Sequence, residues 1–179
     1  MGQYFKAALK GSKAKKNWRL YRTWALNCGA KLTEHSYMEC WYMMYIKHLL
    51  FGHPQYVVWA GDYADNEQGS DDNIYFLGKE MKINSDFLAQ AIVEQPRMKY
   101  LLNRTKKLYY DYTKAKPRDI GSTIDPLPLF TAEGNGQGGG DYYGENKEKV
   151  GEWARDLISI EEELPKGYTE VTNPFYWDY

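Results

Sequence analysis

The sequence predicts an α+β fold: one domain over residues 1–179, a mainly antiparallel sheet built from two related halves about a pseudo-twofold, and about two helices. Three observations predict it. Two stretches read as aromatic strand, basic turn, aromatic strand, the pattern of a β-hairpin. Two others carry helical spacing closed by Gly or Pro. The first hairpin pattern also recurs in the second half, followed by a second Trp-Ala-x-Asp.

In chain order, residues 3–9 (QYFKAAL) and 18–26 (WRLYRTWAL) flank the basic turn KGSKAKKN as a first hairpin. Residues 37–51 read as a helix, because Trp41, Met44, Tyr45, His48 and Leu49 share one face. Ser36 and Glu39 have capping-box spacing, and Gly52 and Pro54 stop the pattern. QYVVWAG has the β-branched and aromatic content of a buried strand, and DYADNEQGSDDN is an acidic loop. Residues 85–95 form a second helical pattern, with Ser85 as cap and Pro96 as stop. KYLLNRTKKLYYDYT is the second hairpin. Prolines 117, 126 and 128 punctuate the route to the loop GNGQGGG, and EWARDLISIEE alternates as a strand. The tail GYTEVTNPFYWDY, with Pro174, is an edge strand or extended arm.

Composition excludes several classes. Apolar residues at 43% and charged residues at 26% are ordinary for a globular chain. A net charge of −1 gives no global grip on nucleic acid. No apolar run approaches the roughly 20 residues of a membrane span, so no membrane partner is expected. Cys28 and Cys40 lack CxxC spacing, which argues against a zinc site or disulfide scaffold and fits a reducing cytoplasm. Tyrosine is the compositional excess, 17 residues, and it serves half-buried sheets and binding surfaces alike.

The repeat spans residues 1–70 and 97–165. Tyr4 falls on Tyr100, 96 residues on, and Trp59-Ala60-x-Asp62 falls on Trp153-Ala154-x-Asp156, 94 residues on. With MGQY at the start, KLTEHSY, VVWAGDYAD, GNGQGGGDYYG and VGEWARDLISIEEE, the chain resembles a widespread group of uncharacterised bacterial and bacteriophage proteins. Those proteins begin MGQYYK and carry KLMEHSY-like, WAGDYAD-like and GNGRGGGD-like motifs in this order. The resemblance implies a microbial or phage origin; the cytoplasmic location expected from cysteine usage would then be the host's if the chain is phage-encoded. It implies no catalytic residue.

Glycine-rich loops let successive amides converge on an anion. GNGQGGG runs into Asp141, however, without the Gly-Lys-Ser/Thr of a P-loop or a helix start. The ligand-binding residues expected are Gly134, Asn135, Gly136, Gly138, Gly139, Gly140, Asp141 and Tyr142, together with Trp59, Asp62, Trp153, Arg155 and Asp156. Candidate catalytic groups are His35, Asp62 and Asp141; with Asp65 they could serve a metal-dependent hydrolase. No Ser-His-Asp or Cys-His arrangement stands out, and no cofactor or resident metal is called for. Lys10, Lys13, Lys15 and Lys16 in one hairpin turn, and Arg104, Lys106 and Lys107 in the other, make a two-pronged basic surface if both tips face the same way. The leading expectation is a non-enzymatic binding protein for a nucleotide-like or phosphate-bearing small ligand. Alternatives are a protein-interaction or structural phage component, either a homo-oligomer or a host-protein inhibitor acting through the aromatic tail, and a metal-dependent hydrolase.

Overall fold

In a computed structural model, the described residues are 2–15, 17–115, 122–134, 142 and 144–175. The fold is α+β, with nine strands in one mainly antiparallel sheet and five α-helices among the described residues. The strands are β1 (Phe5–Lys10), β2 (Arg19–Tyr21), β3 (Gln55–Gly61), β4 (Lys79–Glu80), β5 (Tyr100–Asn103), β6 (Leu108–Asp111), β7 (Ala132–Glu133), β8 (Leu157–Glu161) and β9 (Thr169–Glu170). The helices are α1 (Leu32–His35), α2 (Trp41–Leu50), α3 (Ile74–Leu77), α4 (Ser85–Glu94) and α5 (Pro126–Thr131). Among the described residues, no helix is long and apolar enough to cross a membrane.

The sheet order β4-β2-β1-β3-β8-β5-β6-β9 reads as a palindrome. In each half a hairpin is followed by a strand that returns beside the hairpin's first strand, and then by a short strand parallel to its second. β3 and β8 meet antiparallel at the centre through Gln55 opposite Ile158 and Tyr56 opposite Leu157. Each half also lends a residue to the other. Phe51, leaving α2, bridges Ile160 of β8, and β7, leaving α5, pairs with Trp59 and Ala60 of β3. The symmetry lies in the path of the chain. The Trp-Ala-x-Asp segments do not take equivalent places, since Trp59 sits within β3 and Trp153 in the turn ahead of β8.

Strand alternation sorts the side chains between two faces. Phe5, Ala7, Leu9, Val57 and Trp59 enter the main core beneath α2, α4 and α5; Ala8, Val58 and Ala60 join a smaller cluster with Trp18, Leu20 and Ile74. Gly61 is required where β7 arrives, because a Cβ there would stand 2.7 Å from the Glu133 carbonyl oxygen.

Several elements differ from the sequence expectation, each for a tertiary reason. The strand expected over 18–26 ends at Tyr21 and gives way to a 3-10 turn over Thr23–Leu26, closed by Asn27 at φ 56°. Helix α2 starts at Trp41 with Cys40 as its N-cap. Tyr37 bridges Ile124, and the Ser36 carbonyl accepts from the Asp125 amide at 3.0 Å, which draws 36–40 away from the helix. Glu39 accepts from the Thr123 amide, while Glu34 caps the Lys31 amide at 3.0 Å. The proline-rich route also holds α5. Asp125 is its N-cap, accepting from Leu127 at 3.1 Å, and Pro126 stands at the first helical position, where a missing N–H costs nothing.

The two halves are joined over the sheet by a buried ion pair. Lys47 of α2 and Asp125 at the head of α5 lie 2.8 Å apart, with side chains 5% and 0% exposed. The Tyr112 hydroxyl donates to Asp125 at 3.0 Å, and the Lys47 ammonium lies 4.6 Å from the Tyr112 ring centroid. Burial, then the Asp125 charge, pushes the Tyr112 hydroxyl well above its ordinary pKa, so it stays a donor. Removing one partner strands the other charge, a loss of about 3–5 kcal/mol. Lys47→Met is therefore expected to lower unfolding stability in urea by about that amount, and Lys47→Met with Asp125→Asn to lower it less than Lys47→Met alone.

Candidate functional site

The surface with the features of a binding site is the face of the sheet opposite the main core, at its first hairpin. β1 places Lys6, Ala8 and Lys10 on that face, and β3 places Tyr56 there, because residues two apart in a strand share a side. The Lys10 ammonium lies 4.4 Å from the Trp18 ring centroid, and the Lys13 ammonium 5.7 Å from that of Tyr56. Cations over aromatic faces gain about 0.5–1 kcal/mol at exposed sites. Among the described residues, neither lysine has a carboxylate within ion-pair distance. Lys6 provides the contrast: it pairs with Glu80 at 3.2 Å and sits 3.7 Å from the Tyr75 centroid, and burial lowers its pKa to about 8. Tyr56 is only half-buried, and the Lys10 and Lys13 ammonium groups stand over the Trp18 and Tyr56 rings on this face.

The second basic turn does not join them. β1 and β5 run in opposite directions across the β3–β8 pair, so the two hairpin tips point to opposite ends of the sheet. Arg104 is spent on Glu161 and Ser159, and Lys106 on Asp156 and the Glu152 carbonyl. The two-pronged surface is therefore one prong.

The residues expected at a ligand site take these positions. Gly134 follows β7 directly, and Asn135, Gly136, Gly138, Gly139, Gly140 and Asp141 lie outside the described residues. Tyr142 is buried, its ring edge-on to Phe175 at 5.6 Å and its hydroxyl donating to the Glu145 carbonyl at 2.5 Å. Trp153 is buried and stacked on Phe130 at 4.2 Å. Arg155, at φ 66°, grips both Glu133 and Glu67, which ties the segment after Asp62 to the segment after Trp153. Asp156 accepts from the Asn103 side-chain amide at 2.7 Å, and Asp62 from the Tyr4 backbone amide at 3.0 Å. Gln3, packed against Gly61, is 2% exposed, and among the described residues both its side-chain polar atoms are unpartnered.

His35 and Trp59 form a structural pair. The Trp59 indole N–H donates to His35 Nε2 at 2.8 Å, and His35 Nδ1 lies 3.0 Å from the Gly29 carbonyl oxygen, so the ring is neutral with its proton on Nδ1. Burial lowers the His35 pKa to about 4. Asp65 is exposed, and among the described residues no group of three or more His, Cys, Asp or Glu side chains is placed to hold a metal ion.

Cys28 and Cys40 escaped the sequence reading as a pair. Their sulfurs lie 2.6 Å apart in an open depression of about 430 Å³ lined also by Asn27, Gly29, Glu34 and Trp41. A separation of twelve residues around a short helix was the only signal.

In comparisons with known proteins, no family model, no curated protein and no solved structure matches the chain.

A histidine held neutral in the fold and free to protonate when unfolded stabilises above its unfolded pKa of about 6.5 and loses that contribution as pH falls toward the folded value. With a folded pKa of about 4, the loss is roughly 3 kcal/mol, accrued between about pH 6.5 and pH 4. Urea midpoints across that window should fall steeply for the native chain and less steeply for His35→Gln.

Proposed function

We propose that this chain is a non-enzymatic binding protein for a nucleotide-like or phosphate-bearing small ligand, held on the open sheet face at the first hairpin. The observation that carries the reading is the pairing of Lys10 and Lys13, neither with a carboxylate within ion-pair distance among the described residues, with the rings of Trp18 and Tyr56. A ring-bearing anion meets both requirements at once. Its phosphate takes the ammonium groups, and its base stacks on the half-buried Tyr56 ring, a contact worth about 1–3 kcal/mol per base. The twin carboxylates on Arg155 make the surface beside Gly134 a poorer place for phosphate.

A second reading, a protein-interaction or structural component of a phage, is supported by Tyr4, Tyr63, Phe76 and Leu77. All four are exposed. They stand near one another because Asp62 holds the Tyr4 amide and Asn73, the cap of α3, holds the Asp62 and Ala64 carbonyls. The same sedimentation mass for the native chain and for Phe76→Ser, at concentrations up to the millimolar range, would remove self-assembly through this patch.

For the first reading, a thermal-shift and calorimetric screen against mono-, di- and cyclic nucleotides is expected to yield at least one stabilising ligand whose affinity falls with added salt. Lys10→Glu with Lys13→Glu should weaken that ligand by about tenfold or more, since each substitution turns attraction into repulsion. Absence of stabilisation by every member, or equal binding by the doubly substituted chain, overturns the assignment.

A further inference from the structure

We propose that Cys28 and Cys40 are a redox-active dithiol that closes to an intramolecular disulfide on exposure to a low-molecular-weight disulfide of the glutathione class. Both thiols are free, they touch at 2.6 Å, and both line the open depression of about 430 Å³ through which a reactant reaches them. Neither is sealed in the core, since each is partly exposed. The inference is independent of the ligand reading, because the depression and the Lys10–Lys13 surface share no residue.

The two sulfurs have unequal roles. Cys28 is the attacking thiol: contact with Cys40 lowers its pKa to about 7, and the Tyr42 amide in the first turn of α2 assists. Cys40 is pushed the other way by the same contact and by burial. A thiol poised near neutrality combines a useful thiolate fraction with good nucleophilicity. In the first step the Cys28 thiolate attacks one sulfur of the oxidant, whose S–S bond breaks and releases one thiolate. That leaving thiolate takes up a proton. In the second step Cys40, losing its proton, attacks the Cys28 sulfur of the mixed disulfide and expels the second thiol. Two protein thiols are oxidised, one oxidant disulfide is reduced to two thiols, and both cysteine protons end on the released thiols.

The new bond would link the loop after Asn27 to the N-cap of α2. That loop already holds the start of β1, as the Ala30 carbonyl accepts from the Phe5 amide at 2.8 Å. Closing a short loop around α1 restricts the unfolded chain and stabilises the fold.

The test is intact-mass spectrometry of the full chain treated with oxidised glutathione under native conditions, followed by peptide mapping. The native chain is expected to lose the mass of two hydrogens, to yield a Cys28–Cys40 linked peptide, to gain several degrees in thermal midpoint, and to revert with dithiothreitol. Cys40→Ser should trap one glutathione on Cys28, and Cys28→Ser should react far more slowly. A native chain that keeps a glutathione adduct, or stays unmodified, overturns the dithiol whatever the variants do. Equal trapping by the two variants overturns the assignment of Cys28 as the attacking thiol.

Discussion

The pairing of Lys47 with Asp125 constrains the rest of the molecule. A charged pair with almost no solvent contact is held by its own geometry. Asp125 accepts from Tyr112 and from the first turn of α5, while its amide donates to the Ser36 carbonyl. Those bonds tie α5 to α2 and to the Ser36 backbone over the main core. They also hold residues 36–40 out of α2, which makes Cys40 the helix cap and brings it against Cys28. An electrostatic requirement on one side of the sheet thereby sets the position of a thiol pair several residues away.

Packing on the two faces is unequal, and the inequality decides where a ligand could bind. Helices α2, α4 and α5 lie on the main-core face, where His35 stacks on and hydrogen-bonds to Trp59 and Tyr42 packs edge-on to both. The opposite face carries a smaller cluster, with only the single turn of α3 among its helical contributors. At the first hairpin that face presents the Trp18 and Tyr56 rings beside the Lys10 and Lys13 ammonium groups. Lys6, Arg104 and Lys114 are bound in ion pairs, whereas among the described residues Lys10 and Lys13 have no carboxylate within ion-pair distance.

Trp153 and Arg155 illustrate how a motif can mark a seam. The Trp153 ring closes the core against Phe130, and Arg155 crosses to Glu67 and Glu133. The Val57 amide donates to the Asp156 carbonyl and the Arg155 amide to that of Val57, so the WARD turn is stitched directly to β3. These residues join the two returning strands and the strand that feeds the glycine loop. Phe175, from the aromatic tail, completes the same cluster by packing edge-on to Phe130 and Tyr142.

Local chemistry was enough for the α+β class, both hairpins, the QYVVWAG strand and the 85–94 helix. Each of these is written in side-chain period, in turn residues and in Pro or Gly stops, which act within a few residues. The Asp125-Pro126 start of α5 was legible by the same rules, though its short apolar run hid it. Tertiary structure alone decided the rest. Residues 36–40 leave the helix because Ile124 and Asp125, far along the chain, claim their backbone groups. The hairpin tips diverge because β3 and β8 pair antiparallel, a choice made between strands about a hundred residues apart. Cys28 meets Cys40, and Lys47 meets Asp125, for the same reason: periodicity reports which face a side chain takes, whereas its partner across the core is chosen by long-range pairing and by the cost of leaving a buried polar group alone.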